Sequence, residues 1–150
     1  MRVFGLGGAG HFGLPALELL ARSEVVSEIC VAGRSLERAR DAAARLGTIA
    51  HAIELDEDKP GELEARLRGY DLLANTTRRV GQSEDVLIRA AIRAGAHYVD
   101  LNGGNPPADL GAEAQAAGVV AVYAHGFGPG VDEMLWRLAA GGLDRTDTVA

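Results

Sequence analysis

The chain has 150 residues, enough for one domain with a sizeable core, and its 47 % hydrophobic and 24 % charged residues are ordinary for a soluble globular protein. A net charge of −6 argues against a nucleic-acid partner, and no apolar run reaches membrane-spanning length, so a cytoplasmic protein is expected. The single cysteine, Cys30, excludes an internal disulfide and a multi-cysteine metal site, and its apolar neighbours make it a buried strand thiol.

The chain opens with a short apolar run, Val3 to Leu6, that reads as a buried strand. Gly5, Gly7 and Gly10 follow the spacing G-x-G-x-x-G into an apolar-periodic segment, Phe12 to Leu20. Strand, tight turn and helix in that order form the site a dinucleotide pyrophosphate requires. The first glycine permits the turn and the second lets the diphosphate approach the backbone. The third lets helix and strand pack closely. Unpaired N–H groups at the helix start then face the phosphates with partial positive charge. Pro15 falls a little inside this helix, where it removes a donor and crowds the carbonyl of His11, so a slightly opened first turn is expected.

Glu28 to Ala32 gives the second strand, ended by Gly33-Arg34-Ser35, with Ser35 capping a helix from Leu36 to Leu46. Thr48 to Leu55 reads as the third strand, residues 56–61 as a turn cluster, and Glu62 to Arg68 as a short helix. Tyr70 to Asn75 is the fourth strand, with Thr76-Thr77-Arg78-Arg79 at its carboxyl end. Ser83 opens a helix that runs to Gly95. His97 to Leu101 is the fifth strand, and a small Ala-rich helix spans about Ala108 to Ala117. Val119 to Ala124 is the sixth strand, and Gly126-Phe127-Gly128-Pro129-Gly130 turns into a last helix, Val131 to Ala140. Six strands alternating with helices predict a Rossmann-type, doubly wound parallel sheet of order 3-2-1-4-5-6 in one domain, residues 1–150. The tail, 145–150, reads as the opening of another strand, so the chain is expected to be cut off there.

In an NAD-binding fold the second strand ends in a carboxylate that accepts from the ribose hydroxyls. Gly33-Arg34-Ser35 offers a guanidinium and a hydroxyl instead, which suit the 2′-phosphate of NADP better than NAD. The alternative is a surface arginine at a helix start, and Arg38 is a weaker second candidate. The carboxyl ends of the other strands line the same crevice. They bring Asp56 near the adenine, where a plain turn role is equally open. Asn75, Thr76 and Thr77 come along the cofactor, and Asp100 and Asn102 near its reactive end. His11 beside the turn has the diphosphate or solvent as its partner. His51, His97 and His125 have no metal-ligand spacing and read as structural, and Arg78 and Arg79 read as a solvated loop.

Five segments now fall in one order: Gly5-Leu6-Gly7-Gly8-Ala9-Gly10, Val31-Ala32-Gly33-Arg34-Ser35, Tyr70-Asp71-Leu72-Leu73-Ala74-Asn75, His97-Tyr98-Val99-Asp100-Leu101-Asn102 and Gly126-Phe127-Gly128-Pro129-Gly130. Together they resemble the amino-terminal cofactor domain of the saccharopine dehydrogenase (reductase-type) family over essentially the whole chain. The resemblance implies an NAD(P)-dependent oxidoreductase acting on a carbon–nitrogen bond of an amino acid or polyamine derivative. It puts the nicotinamide near Thr76, Thr77 and Asp100, and the substrate beside Gly128, Pro129 and Gly130. It also implies a downstream substrate domain, absent from this chain, that forms a homodimer contact; the chain alone is then expected to be inactive. The candidate cofactor residues are Gly5, Gly7, Gly8, Ala9, Gly10, His11, Phe12, Arg34, Ser35, Asp56, Asn75, Thr76 and Thr77, with no metal. The alternative is a nucleotide-sensing Rossmann module without turnover, although such modules usually end the second strand in a carboxylate.

Overall fold

The computed structural model describes residues 1–59, 61–77, 85–101, 109–123 and 130–142. Six strands, β1 (Arg2–Leu6), β2 (Glu28–Gly33), β3 (Ala50–Glu54), β4 (Leu72–Asn75), β5 (His97–Asp100) and β6 (Ala121–Val122), form one parallel sheet. Their order is β3-β2-β1-β4-β5-β6, the order the sequence predicts. Helices α1 (Gly13–Leu20), α2 (Leu36–Leu46), α3 (Glu62–Leu67), α4 (Asp85–Ala94), α5 (Asp109–Ala117) and α6 (Val131–Ala140) complete the alternation.

The central strands β1, β2 and β4 are buried on both faces, and their two-residue period divides the core. Phe4, Leu6, Cys30 and Leu73 face one way and pack with Leu63, Leu67, Leu87 and Ile88 of α3 and α4. Val3, Ile29 and Val31 face the other way, onto Leu17 of α1 and Ala39, Ala43 and Leu46 of α2. Each large apolar side chain fully buried this way contributes about 1.5–3 kcal/mol.

Register brings the carboxyl ends of the strands into line. Leu6 of β1 lies opposite both Ala32 of β2 and Asn75 of β4, and Asn75 lies opposite Asp100 of β5. The crevice at this edge is therefore fixed by the sheet itself.

Several boundaries differ from expectation. β3 is shorter than Thr48 to Leu55, yet Leu55 N–H still donates to the Gly33 carbonyl at 3.0 Å, so its chain continues alongside β2. β4 begins at Leu72 because the N–H of Tyr70 is turned back to the Leu67 carbonyl. β6 holds only two residues, and Ala124, Ser83 and the 145–150 tail lie outside the described residues. α6 has no buried residue, and Met134, Leu135, Trp136 and Leu138 are exposed among the described residues. No described helix is long and apolar enough to cross a membrane.

Candidate functional site

The chain leaves β1 at Leu6 and turns at Gly7, whose φ of +73° lies in the left-handed region that disfavours side chains. Gly7 N–H donates to the Ala32 carbonyl at 2.9 Å, which ties the turn to β2. Gly10 N–H closes onto the Gly7 carbonyl at 2.8 Å. A β-carbon on Gly7 would meet Thr77 Cγ2 at 2.9 Å and Thr77 N at 3.0 Å, so the turn presses against the end of β4.

The glycines divide their work differently from the expectation. Gly5 lies within β1, where a β-carbon would strike Leu17 of α1 at 2.7 Å. Gly10 is not the glycine that seats the helix. α1 starts at Gly13, and a β-carbon there would run into the Gly7 carbonyl and sit 2.6 Å from Thr76 Oγ1. Gly8, Gly10 and Gly13 repeat the G-x-G-x-x-G spacing three residues on. That second, overlapping match is equally present in the sequence.

Phe12 is the N-cap of α1, with no side-chain cap, and both it and His11 are exposed with their rings edge to face at 5.1 Å. The backbone N–H groups of Ala9, His11, Phe12 and Gly13 have no acceptor among the described residues. Donors left open at a helix start suit an anion. The first turn is slightly open around Pro15, as expected: Leu14 N–H reaches the Gly10 carbonyl at 3.1 Å, and Ala16 N–H reaches Phe12 only at 3.4 Å.

Beside this turn lies a crevice of about 230 Å³, lined by Gly7, Ala9, Gly10, Ala32, Gly33, Arg34, Ser35, Arg38, Glu57, Thr76 and Thr77. Ser35 caps α2, its Oγ accepting from Arg38 N–H at 3.3 Å, which leaves its own O–H directed by whatever else binds. Arg38 Nη2 donates to the Ala9 carbonyl at 3.2 Å and so spans from α2 to the glycine turn. Arg34 and Arg38 thus put two exposed guanidinium groups at the end of β2, with no carboxylate at Gly33, Arg34 or Ser35.

Asp56 stands apart from this crevice. Its Oδ1 accepts from Asp58 N–H at 3.2 Å, a turn contact, and it lines an adjoining hollow with Glu54, Lys59, Glu62 and the outer side of Arg34. Glu57, one residue on, is the acidic residue on the crevice wall, and the turn cluster gave no signal that would have chosen it.

At the ends of β4 and β5 the expected ligand contacts turn inward. Asn75 is 1 % exposed, and its Oδ1 accepts from Thr77 N–H at 3.0 Å and Thr77 Oγ1 at 2.7 Å. Its Nδ2 donates to the Tyr98 hydroxyl at 3.0 Å, and that hydroxyl donates to Asp100 Oδ2 at 2.7 Å. Asn75 therefore faces the protein and not the crevice, and the buried Asp100 is joined to it through Tyr98. Thr76 is anchored to β1, its N–H and Oγ1 both donating to the Leu6 carbonyl at 2.9 and 3.0 Å. In the sequence Tyr98 stands out only as part of the His97-to-Asn102 segment and not as a site residue, because only the β4–β5 register puts it beside Asn75.

On the substrate side, Asn102, Gly128 and Pro129 lie outside the described residues, as do Arg78, Arg79 and His125. Gly130 is the N-cap of α6, its N–H donating to Asp132 Oδ1 at 3.1 Å and to Glu133 Oε2. His97 Nδ1 accepts from Val120 N–H at 3.0 Å, and His51 contacts the Tyr70 hydroxyl at 3.2 Å; both tie the scaffold together. Cys30 is buried in the sheet, and burial pushes its thiol from 9.0 up to about 11, the opposite of an activated nucleophile.

Comparison with known proteins agrees with this geometry. Residues 3–122 match the family model described as the saccharopine dehydrogenase NADP binding domain. The trans-acting enoyl reductase of Mycobacterium leprae is 35 % identical over 100 residues, which are 65 % of this chain and 24 % of that protein. Among solved structures, apo saccharopine dehydrogenase (L-Glu forming) from Saccharomyces cerevisiae superposes with a TM-score of 0.76 at 24 % identity, covering 94 % of this chain and 31 % of that one. A shikimate 5-dehydrogenase from Mycobacterium fortuitum follows the same fold with a TM-score of 0.58 at 22 % identity, over 82 % of this chain and 44 % of its own. The chain thus spans about a quarter of the curated relative and under a third of the yeast enzyme.

Proposed function

The chain belongs to the family of the saccharopine dehydrogenase NADP binding domain, and from that premise we propose that it is the cofactor-carrying part of an NADP-dependent oxidoreductase. The observation that carries this reading is the pairing of the glycine turn with Arg34, Ser35 and Arg38 around one crevice. The residues fit the cofactor. Open N–H groups at the start of α1 suit a diphosphate, and two guanidinium groups with a hydroxyl suit a 2′-phosphate. Held by these residues, the cofactor would supply hydride chemistry toward an electron-poor carbon.

In this proposal the chain binds and orients, and does little chemistry itself. Gly13 lets α1 start directly against the Gly7 carbonyl and Thr76, so its open donors stay beside the glycine turn. Arg34 and Ser35 hold the 2′-phosphate, and Arg38 fixes the distance between that end and the glycine turn through its bond to Ala9. Thr76 and Thr77 form the crevice wall at the end of β4, and a small-molecule substrate is proposed to approach from that side.

For the substrate, the first reading is a carbon–nitrogen bond of an amino acid or polyamine derivative. A second is favoured by the Mycobacterium leprae relative, whose name makes it an enoyl reductase: hydride delivery to a carbon–carbon double bond. A further domain completing the substrate site, and a homodimer formed through it, belong to the same proposal. So does a cytoplasmic location, which rests on composition alone. NADPH oxidation by the polypeptide that carries this domain, measured with keto-acid and amine pairs and with enoyl thioesters, tests the choice. Turnover of the first set alone supports C–N chemistry, and turnover of the thioesters alone replaces it with the second reading. Oxidation of neither set by a cofactor-loaded protein would favour a sensing module.

A further inference from the structure

Tyr98 and Asp100 carry polar groups into the core, 1 % and 2 % exposed, at positions where phenylalanine and leucine would fill comparable space without desolvating anything. Their bonds run in one direction. The Thr77 N–H can only donate, so Asn75 must present its carbonyl oxygen to Thr77 and its amide NH₂ to Tyr98. The Tyr98 hydroxyl then accepts from Asn75 and has its proton available for Asp100, whose carboxylate oxygen accepts it. A carboxylate at one end and a backbone N–H at the other thus fix the orientation of every group between them. What is held at the far end is Thr77, whose Cγ2 and N lie 2.9 and 3.0 Å from where a Gly7 β-carbon would be, and which lines the crevice with Ala9 and Gly10.

We propose that Tyr98 and Asp100 are positioning residues for the cofactor, acting through Asn75 to set Thr77 against the glycine turn. The inference rests on the NADP-binding reading above. It makes the end of β5, where the substrate would approach, a determinant of how the diphosphate half of the cofactor is seated. The 2′-phosphate end at Arg34 and Ser35 is independent of it, since Arg34 and Ser35 have no hydrogen bond to this chain of groups among the described residues.

That independence supplies the test. Tyr98→Phe keeps the ring and removes the hydroxyl. Calorimetric titration should show NADPH binding weakened about tenfold, the loss of one buried hydrogen-bonded link. Adenosine 2′,5′-bisphosphate, which carries the 2′-phosphate but no diphosphate or nicotinamide, should bind within about twofold of wild type, because its main anchor is Arg34. Asp100→Asn retains an oxygen that accepts from Tyr98 and should restore NADPH binding to within about threefold of wild type, whereas Asp100→Leu should match Tyr98→Phe. Thr77→Val, which keeps the shape and loses only the hydroxyl donor, provides a milder variant should Asp100→Leu fail to fold, and should weaken NADPH without affecting the bisphosphate. Unchanged NADPH affinity in Tyr98→Phe, or equal loss of both ligands, would overturn the inference while wild-type binding keeps the cofactor reading intact. Failure of the wild-type chain to bind NADPH would remove both.

Discussion

Gly13 lies directly beneath Thr76: a β-carbon on Gly13 would sit 2.6 Å from Thr76 Oγ1 and also collide with the Gly7 carbonyl. Helix α1 is thereby held against the carboxyl ends of β1 and β4 with no room for a side chain. Gly13→Ala should destabilise the fold by about 1–3 kcal/mol through overpacking against backbone that cannot yield. Gly33→Ala, where a β-carbon meets nothing within 4 Å, should be neutral or stabilising by up to about 1 kcal/mol. Urea denaturation of the two variants checks the contrast, and equal midpoints would mean that α1 is free to shift outward.

Arg34→Asp should reverse the cofactor preference. The change removes one of two cations at the end of β2 and installs an acceptor for ribose hydroxyls. With a charge-assisted bond contributing about 1.5–3 kcal/mol, NADPH affinity should fall roughly 10- to 150-fold while NADH binding improves. A competition titration of both cofactors against the variant reads the outcome. Retained NADPH preference would transfer the recognition to Arg38.

Cys30 should be inert in the native state and should make stability sensitive to alkali. Burial holds its thiol up at about 11, above the value near 8.5 expected in the unfolded chain. The contribution is therefore complete below about pH 8.5 and is lost as pH rises toward 11. At pH 8 a thiol reagent should label the folded protein only as fast as it opens, and the urea-stability difference between wild type and Cys30→Ala should shrink above pH 9. Rapid labelling without unfolding would contradict the burial.

Trp136, the single tryptophan, is 44 % exposed on α6, beside the exposed Met134, Leu135 and Leu138. Its fluorescence should be clearly quenched by iodide in the folded 150-residue chain, though less than that of a free indole. A protected Trp136 would mean that this helix is covered.

The sheet was legible because its strands are short apolar runs and its helices are bounded by capping and stop residues. The strand order followed from the glycine turn after β1, which marks the first strand of such folds. The candidate crevice was legible only where backbone chemistry or charge defines it, as at Gly7, Arg34 and Ser35, which line it. Two overlapping glycine patterns obey the same spacing, and only the true start of α1 at Gly13 shows which glycine seats the helix. Asn75 occupies the strand end where a ligand contact is expected, yet its partner Tyr98 comes from another strand through the β4–β5 register. Asp56 and Glu57 are adjacent in one turn, and which of them faces the crevice depends on backbone direction that composition does not encode.

The central claim is that the crevice between the glycine turn and Arg34 is built for NADP. Calorimetric titration of the 150-residue chain with NADPH and with NADH tests it most directly. The account predicts saturable NADPH binding at least about tenfold tighter than NADH, as expected for one or more charge-assisted bonds to the 2′-phosphate. Equal affinities, tighter NADH binding, or no heat with either cofactor would contradict it.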